Sequence, residues 1–583
     1  MTPRGNSKVQ AVDHWPHSLY SDDLPGGHVA LEVRAKSTPA KPLPNKAKPT
    51  KPGSVPTKPE PTPSVVKPSP NIGLSRSSSP STAPTTKPLP FVKEPRPTKA
   101  YNICNLPAFD CDTEVEDYVD ALGERSIDGI NDSIAKELDK RSSPRTYSVV
   151  VGGGTPTMMM TSLPYPLEAK LFPAGSPKVI LDFATDNVRD ANFKKFTTVP
   201  SRTKPSTYIV EHIVELQSIM LFIKAAIRAK KVKGVKTLSK HVDINFFTKH
   251  WNTDNVQVQQ KISSRPTPFT GYSPKDPLSS LNDLVFEAMG SKSNTADFVL
   301  CEQGVNSIKA KLWAHVSPND KDKWQSVAKD AADGSIPSNM HLAGLRSVLG
   351  VHNYMNDPDV EQRLQDTVKN IKTEFGNFKA ITGEDVTDVK GKAVDLPALW
   401  VEFMTAQLQK VTESGTKWII EQADFATPKY KAHLVDLQTA MKRITDEEAL
   451  KDDTKRQAAI DARTEESNKL IKQLPDDKNA LSQAKTALDT AEQAANAATA
   501  ALKSATPATK PALQDDKKKK LRAYRDAKQT YYQALVTKGR RERDIIKLRR
   551  AELTSLIKDI EADIQQMTDY RAAAVAMKTP KAE

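Results

Sequence analysis

From Asp357 onward, apolar residues recur every three or four positions with few interruptions, the spacing that lines one face of an α-helix. Helices are predicted over 357–380, 395–422, 429–473, 476–503 and 513–576. In "SATPATKP", at 504–511, Pro507 and Pro511 stop one helix and let the next begin. The final helix carries Leu553, Leu556, Ile560, Ile564 and Met567 on one stripe, and its expected partner carries Leu481, Ala484, Leu488, Ala491 and Ala495 at the same steps. Small side chains permit close approach. The pattern predicts an antiparallel hairpin packed against the preceding helices, or a coiled coil with a second chain.

Upstream, Ile209, Ile213, Leu216, Met220, Ile223 and Ile227 repeat at alternating steps of four and three, which predicts an amphipathic helix over 208–230. Shorter helices are expected at Leu281 to Met289 and Val305 to Trp313. "RTYSVVVGGGTPTMMMTSLPYP" reads as two strands around Gly152 to Gly154, and "PKVILDFAT" as a third. The triple glycine is a hairpin turn and not a phosphate loop, because no Gly-Lys-Ser/Thr follows it. Residues 101–141 predict a short helical segment through Val115, Tyr118, Val119, Leu122, Ile127, Ile130, Ile134 and Leu138. From Pro39 to Pro97 there are 17 prolines among Lys, Ser and Thr, a composition that cannot bury enough apolar surface to offset its chain entropy.

The expected fold class is predominantly α, with an α+β centre holding a small β-hairpin or sheet, a disordered Pro-rich arm and a long C-terminal helical hairpin or coiled coil. The expected divisions are the arm at 1–100, the helical segment at 101–141, the α+β module at 142–355, a helical bundle at 356–475 and the hairpin at 476–583. At 583 residues the chain exceeds a single ordinary core. No apolar run is long enough to span a membrane. Residues 1–30 show neither the basic start nor the apolar run of a secretory signal, which keeps a cytoplasmic location as the alternative to secretion.

Lys plus Arg exceed Asp plus Glu by 85 − 71 = 14, a charge that draws a nucleic acid, membrane or cell-wall polyanion without choosing among them. No nucleic-acid-binding motif accompanies it. Cys104 and Cys111 are close enough in sequence to close one small disulfide loop, and Cys301 is left over. Lys140 and Arg141, after the 101–141 segment, either finish a helix at its negative pole or form a dibasic processing site.

Read as a helix, Glu211, His212 and Glu215 place an acid, an imidazole and a second acid on neighbouring turns. His212 and Glu215 have a spacing that can hold a divalent metal. His241, Asp243 and His250, followed by Trp251, Asn252 and Asn255, supply what a metal-dependent nuclease or hydrolase would need. His212, Glu215 and His241 would be the ligands, and His212, Glu215 and His250 the catalytic groups. The alternative is a buried, hydrogen-bonded histidine on a core face, with no cofactor at all. The acids Asp110, Asp112, Glu114 and Glu116 decorate a helix start, with no barrel around them to make them a glycosidase pair.

The phrases "LDKRSSPRTYSVVVGGG", "SLPYP", "YIVEHIVELQSIMLFI" and "SVLGVHNYMNDPDVEQRL" resemble the region that follows the catalytic barrel in secreted class V, killer-toxin-like fungal chitinases. The resemblance covers about residues 138–375. The acidic D-G-x-D-x-D-x-E motif of those enzymes is absent, so the resemblance implies an accessory module of a secreted fungal protein and not chitin hydrolysis. The leading expectation is a non-enzymatic secreted or cell-surface interaction protein, toxin-like or effector-like, whose helical tail binds a protein partner or self-associates. The alternatives are the metal-dependent nuclease or hydrolase and an intracellular coiled-coil scaffold.

Overall fold

The computed structural model describes residues 144–150, 156–173, 178–201, 208–227, 237–274, 277–503 and 509–583, all within a compact unit spanning Thr86–Glu583. The Pro-rich arm, the 101–141 segment, Cys104, Cys111, Lys140, Arg141 and the Gly152 to Gly154 turn lie outside the described residues.

The run "TYSVV" and the methionine-rich run "PTMMMT" pair as expected. β1 (Thr146–Val150) and β2 (Pro156–Thr161) are antiparallel, with Tyr147 opposite Met160 and Ser148 opposite Met159. Tyr147, Val149, Met158 and Met160 are buried, the period-two signature of a sheet with one face on a core. A second sheet contains β3 (Ile180–Phe183), β4 (Phe193–Phe196), β5 (Tyr208–His212) and β6 (Phe298–Glu302) in the order β4-β3-β6-β5. Only the β3–β6 pair is parallel. Alternation splits its residues between two cores. Ile180, Tyr208, Val210, Phe298 and Leu300 gather with Tyr165 in a small cluster, while Leu181, Phe183, Val299 and Cys301 enter the main core.

The remaining elements are helices, so the chain is predominantly helical with a small sheet, as the sequence pattern implies. They are α1 (Glu168–Leu171), α2 (Gln217–Ala226), α3 (Ile244–His250), α4 (Val256–Ser263), α5 (Leu281–Met289), α6 (Gln303–Trp313) and α7 (Lys321–Ala332). They continue with α8 (Ser338–Met355), α9 (Pro358–Thr382), α10 (Leu396–Glu448), α11 (Asp453–Lys503), α12 (Lys510–Ile546) and α13 (Arg550–Val575). α9 shows why its start was legible. Asp357 accepts from Asp359 N at 3.0 Å and Val360 N at 3.3 Å, and Pro358 sits in the first turn, where its missing N–H costs nothing. Phe222, Phe375, Trp400 and Phe403 pack at 5.2–5.8 Å between ring centres, and Trp251, Trp313 and Trp324 are fully buried elsewhere in the same core.

Three expectations are corrected. The helix expected over 208–230 is a strand, a turn and a shorter helix, because "YIVEH" is buried on both faces as β5 and only Gln217–Ala226 is helical. A strand buried on both sides has no polar alternation to distinguish it from a buried helix. Next, the helix expected over 429–473 breaks at 449–452, whereas α10 runs through Pro428 and α11 through Pro475, where breaks were expected. An interior proline costs a helix about 3 kcal/mol. Here it is outweighed by packing: Ala426 and Tyr430 are fully buried beside Pro428, and Arg541 of α12 bridges Gln473 and Asp477 across Pro475.

Finally, the helix expected over 513–576 breaks at 547–549, where Arg549 turns extended. The hairpin therefore forms within the chain between α11 and α12. The Leu553, Leu556, Ile560 and Met567 stripe of α13 is buried in the main core, and α13 packs chiefly against α10 and α8 instead of the alanine-rich helix.

Candidate functional site

The residues with most chemical potential meet where β5 hands the chain to α2. Strand geometry sends successive side chains to opposite faces. Glu211 and His212 therefore part company: His212 joins the side of the sheet that holds Tyr165 and Phe298, and Glu211 turns toward α6. Glu215 follows in the turn, so the helical juxtaposition of His212 and Glu215 expected from their spacing does not form.

Lys309 of α6 collects the acids. Its Nζ donates to Glu211 Oε1, to Glu215 Oε1 at 2.9 Å and to the His212 carbonyl oxygen at 2.9 Å. The lysine side chain is 0% exposed, and its two acid partners are 8% and 13% exposed. Burial alone would lower the Lys309 ammonium, but Glu211 and Glu215 more than offset it and hold the group above its ordinary value. Trp313 and Tyr354 offer ring faces 5.4 and 5.7 Å from the ammonium. Three donor directions meet three acceptors, so the cation is fully used inside the fold.

His212 occupies an aromatic cage. Its ring lies edge-on to Tyr165 at 4.5 Å and Phe298 at 4.6 Å, and Nε2 lies 3.4 Å from the Gly290 carbonyl oxygen. Gly290 has φ +123°, and an added Cβ there would come within 3.0 Å of the Phe298 ring, so the cage needs glycine at this position. Burial lowers His212 to about 3; the Gly290 carbonyl opposes that shift, and Arg145 and Lys309 add to it. The imidazole is neutral across the physiological range and is enclosed on all sides.

The other sequence candidates stand apart from this pair. Asp243 caps α3, its Oδ1 accepting from Asn245 N at 3.0 Å, and Asn255 caps α4 by accepting from Val258 N at 2.9 Å. His250 ends α3 with Nε2 3.0 Å from Glu384 Oε2, and Lys249 donates to Glu384 Oε1. Asn252 donates to the Met159 carbonyl oxygen at 2.8 Å, and His241 is half-buried before α3. Among the described residues, no three His, Cys, Asp or Glu side chains gather closely enough to hold a metal ion. Cys301, deep in β6, has a thiol raised well above its usual range by burial.

Three charged groups were missed from sequence. Lys309 lies four residues after Val305 and four before Trp313, so a lysine on an apolar stripe was the available signal. Glu302 caps α6, accepting from Val305 N at 2.9 Å, and burial together with Asp182 pushes its carboxyl up to about 7. Asp182 accepts from the Tyr208 hydroxyl at 2.7 Å across the sheet. These contacts knit β3, β5, β6 and α6 into one polar seam around the fully buried Lys309. No protein-family model matches the chain, and no curated protein or solved structure matches it.

Proposed function

We propose that this protein works by binding and not by catalysis, as a secreted or cell-surface interaction protein of toxin-like or effector-like character whose partner meets the C-terminal helices. The observation that carries the reading is the fate of the acid–base candidates. Glu211 and Glu215 are spent on Lys309, His212 is caged and neutral, and His250 belongs to Glu384. A general base needs to reach the proton it abstracts. Lys309 and the aromatic cage keep Glu211, Glu215 and His212 from presenting that reach.

The α11–α12 hairpin supports the other half of the reading. Its alanine-rich face is covered within the chain, with Ala484, Leu488, Ala495 and Ala498 buried. This favours a foreign partner over self-association through that seam. Extracellular residence is supported by the chitinase-like phrases at about 138–375. None of the helices among the described residues is long and apolar enough to cross a membrane.

The test uses the full chain. Plasmid DNA and tRNA incubated with it should remain intact with magnesium, zinc or chelator, and metal-dependent cleavage would reject the binding-only reading. Cell-wall and membrane fractions of the source should retain the chain, and retention should depend on the exposed side of the hairpin. N-terminal sequencing of protein from culture medium should give a start near Ser142. Recovery from cell lysate alone, beginning at Met1, would reject secretion.

A further inference from the structure

We infer that the exposed side of α12 docks the sugar–phosphate backbone of double-stranded nucleic acid, without reading its sequence; this rests on the reading of the hairpin as the recognition element. The first observation is where the charge lies. α12 holds 12 Lys and Arg against 5 Asp and Glu, a net +7 that is half of the chain's +14 in a single helix. Within the hairpin the charge is one-sided. Residues 510–528 carry 8 basic against 3 acidic groups, whereas residues 476–503 of α11 carry 3 against 4.

The second observation is how that charge is arrayed. Leu513, Leu521, Tyr524 and Leu535 are half-buried on the packed side, and Lys518, Lys519, Arg522 and Arg525 are exposed. At about 100° per residue, Lys518, Arg522 and Arg525 fall in a sector roughly 60° wide, and they span about 10 Å of helix axis. Asp515 lies 4.0 Å from Lys518, a pair exposed enough to exchange for a phosphate. Lys518, Arg522 and Arg525 thus line one face of the helix, with the exposed Asp515 and Asp526 at its flank.

A line of charge fits a linear polyanion better than a plane. A lipid surface laid on the hairpin would also meet α11, whose outer half has no positive excess. It would find no anchor there either: the large apolar side chains exposed among the described residues are Val199, Val256, Val389, Val435, Leu450 and Val575, none of them on α12 or the outer half of α11. Single strands are held by stacking bases on exposed rings, but Tyr524 and Tyr531 are half-buried and Tyr532 is buried. For a nucleic acid this leaves contact with the duplex backbone, which depends on charge and releases counterions.

The experiment measures binding of the full chain to a labelled 30-base-pair duplex of arbitrary sequence, and to vesicles with and without phosphatidylserine, across 50–200 mM salt. Duplex binding is expected, weakening steeply with salt. The combined variant Lys518→Gln, Arg522→Gln and Arg525→Gln should keep its melting temperature and lower the salt slope by about 2.7, at about 0.9 per lost phosphate contact. Across that salt range the affinity would then change roughly 40-fold less than in the parent. A control with the same change in charge, Lys417→Gln, Lys442→Gln and Lys469→Gln on α10 and α11, should bind as the parent does.

Equal losses in both variants would overturn the proposal, because net charge alone would then explain the binding. Binding to anionic vesicles but not to duplex would also overturn it, as would no binding to either. If the stripe variant loses retention by cell-wall or membrane fractions while the parent binds no duplex, the polyanion assignment fails and the hairpin reading stands. If retention is unchanged by the stripe variant, the hairpin reading fails as well.

Discussion

Arg189, in the loop after β3, donates from Nε at 2.9 Å and from Nη2 at 2.5 Å to Asp563 Oδ1 in the last helix, 374 residues further along the chain. Asp563 is 0% exposed, and Arg189 Nη2 also donates to the Asp559 carbonyl oxygen at 3.1 Å. Nearby, the Tyr570 hydroxyl donates to the Val188 carbonyl oxygen. The final helix is thus fastened to the α+β module by polar groups and apolar surface together. The tail divides into α13, which is structural, and the α11–α12 hairpin, which is not tied in this way along its outer half.

Asp563→Ala should cost about 3 kcal/mol, the lower end of what breaking a buried ion pair does, because Arg189 keeps 22% exposure. Chemical denaturation of the full chain measures it. An effect below about 1 kcal/mol would mean that α13 is held by its apolar stripe alone.

Lys309→Met should destabilise more strongly, since it leaves both Glu211 and Glu215 without their cation in a closed site. Adding Glu211→Gln and Glu215→Gln should recover part of the loss, because neutral amides need no counter-charge. If the triple variant is less stable than Lys309→Met, the lysine is not the counter-ion described here.

Acid should unfold the protein early. Burial lowers His212 and His341 to about 3 and His315 and His352 to about 4, so all four are neutral when folded and take protons near 6.5 when unfolded. Their contribution is complete above pH 6.5 and is lost as pH falls toward 4. Glu302, raised to about 7, and Asp297, raised to about 6, act in the opposite sense, holding protons in the folded state that the unfolded chain releases. Glu287 and Asp330, also raised by burial, act in the same sense as Glu302 and Asp297, so the acids offset part of the histidine effect and stability falls with pH where the histidines prevail. A urea midpoint flat over this range would contradict the assignment, and His341→Phe should shallow the slope by about one proton.

Gly539→Ala should pry α12 from the turn after α7. An added Cβ would lie 1.6 Å from the Ser335 carbonyl oxygen, a backbone atom that cannot yield without moving the turn. The Tyr532 hydroxyl bond to Asp330 Oδ2 at 2.9 Å and the Arg540 contact with the same carboxylate at 3.3 Å would be strained together. Hydrogen exchange should quicken in 321–337 and 530–546 and stay unchanged in β3–β6. Uniform protection in the variant would show that the approach relaxes freely.

Local chemistry was readable wherever one residue type has one use. The starts expected at 357 and at Leu281 hold as α9 and α5, each fixed by a local cap: Asp357 accepts from Asp359 N at 3.0 Å and Ser280 from Asp283 N at 3.2 Å. The Thr-Tyr-Val and Met runs announced β1 and β2, and the long three- and four-step periodicity announced a helical C-terminal half. These features depend on nearest neighbours along the chain. They survive whatever the rest of the molecule does.

The tertiary structure decided what periodicity leaves degenerate. A segment buried on both faces shows the same apolar residues whether extended or helical, so only the hydrogen bonds of β5 to β6 fixed 208–212 as a strand and sent Glu211 and His212 to opposite sides. Whether a proline breaks a long helix depended on packing around Pro428 and Pro475, and the bend at 547–549 has no glycine or proline to mark it. The partners Lys309 for Glu215 and Asp563 for Arg189 are separated by 94 and 374 residues. A charge on an apolar stripe signals that a buried partner exists, and only the folded chain says which one.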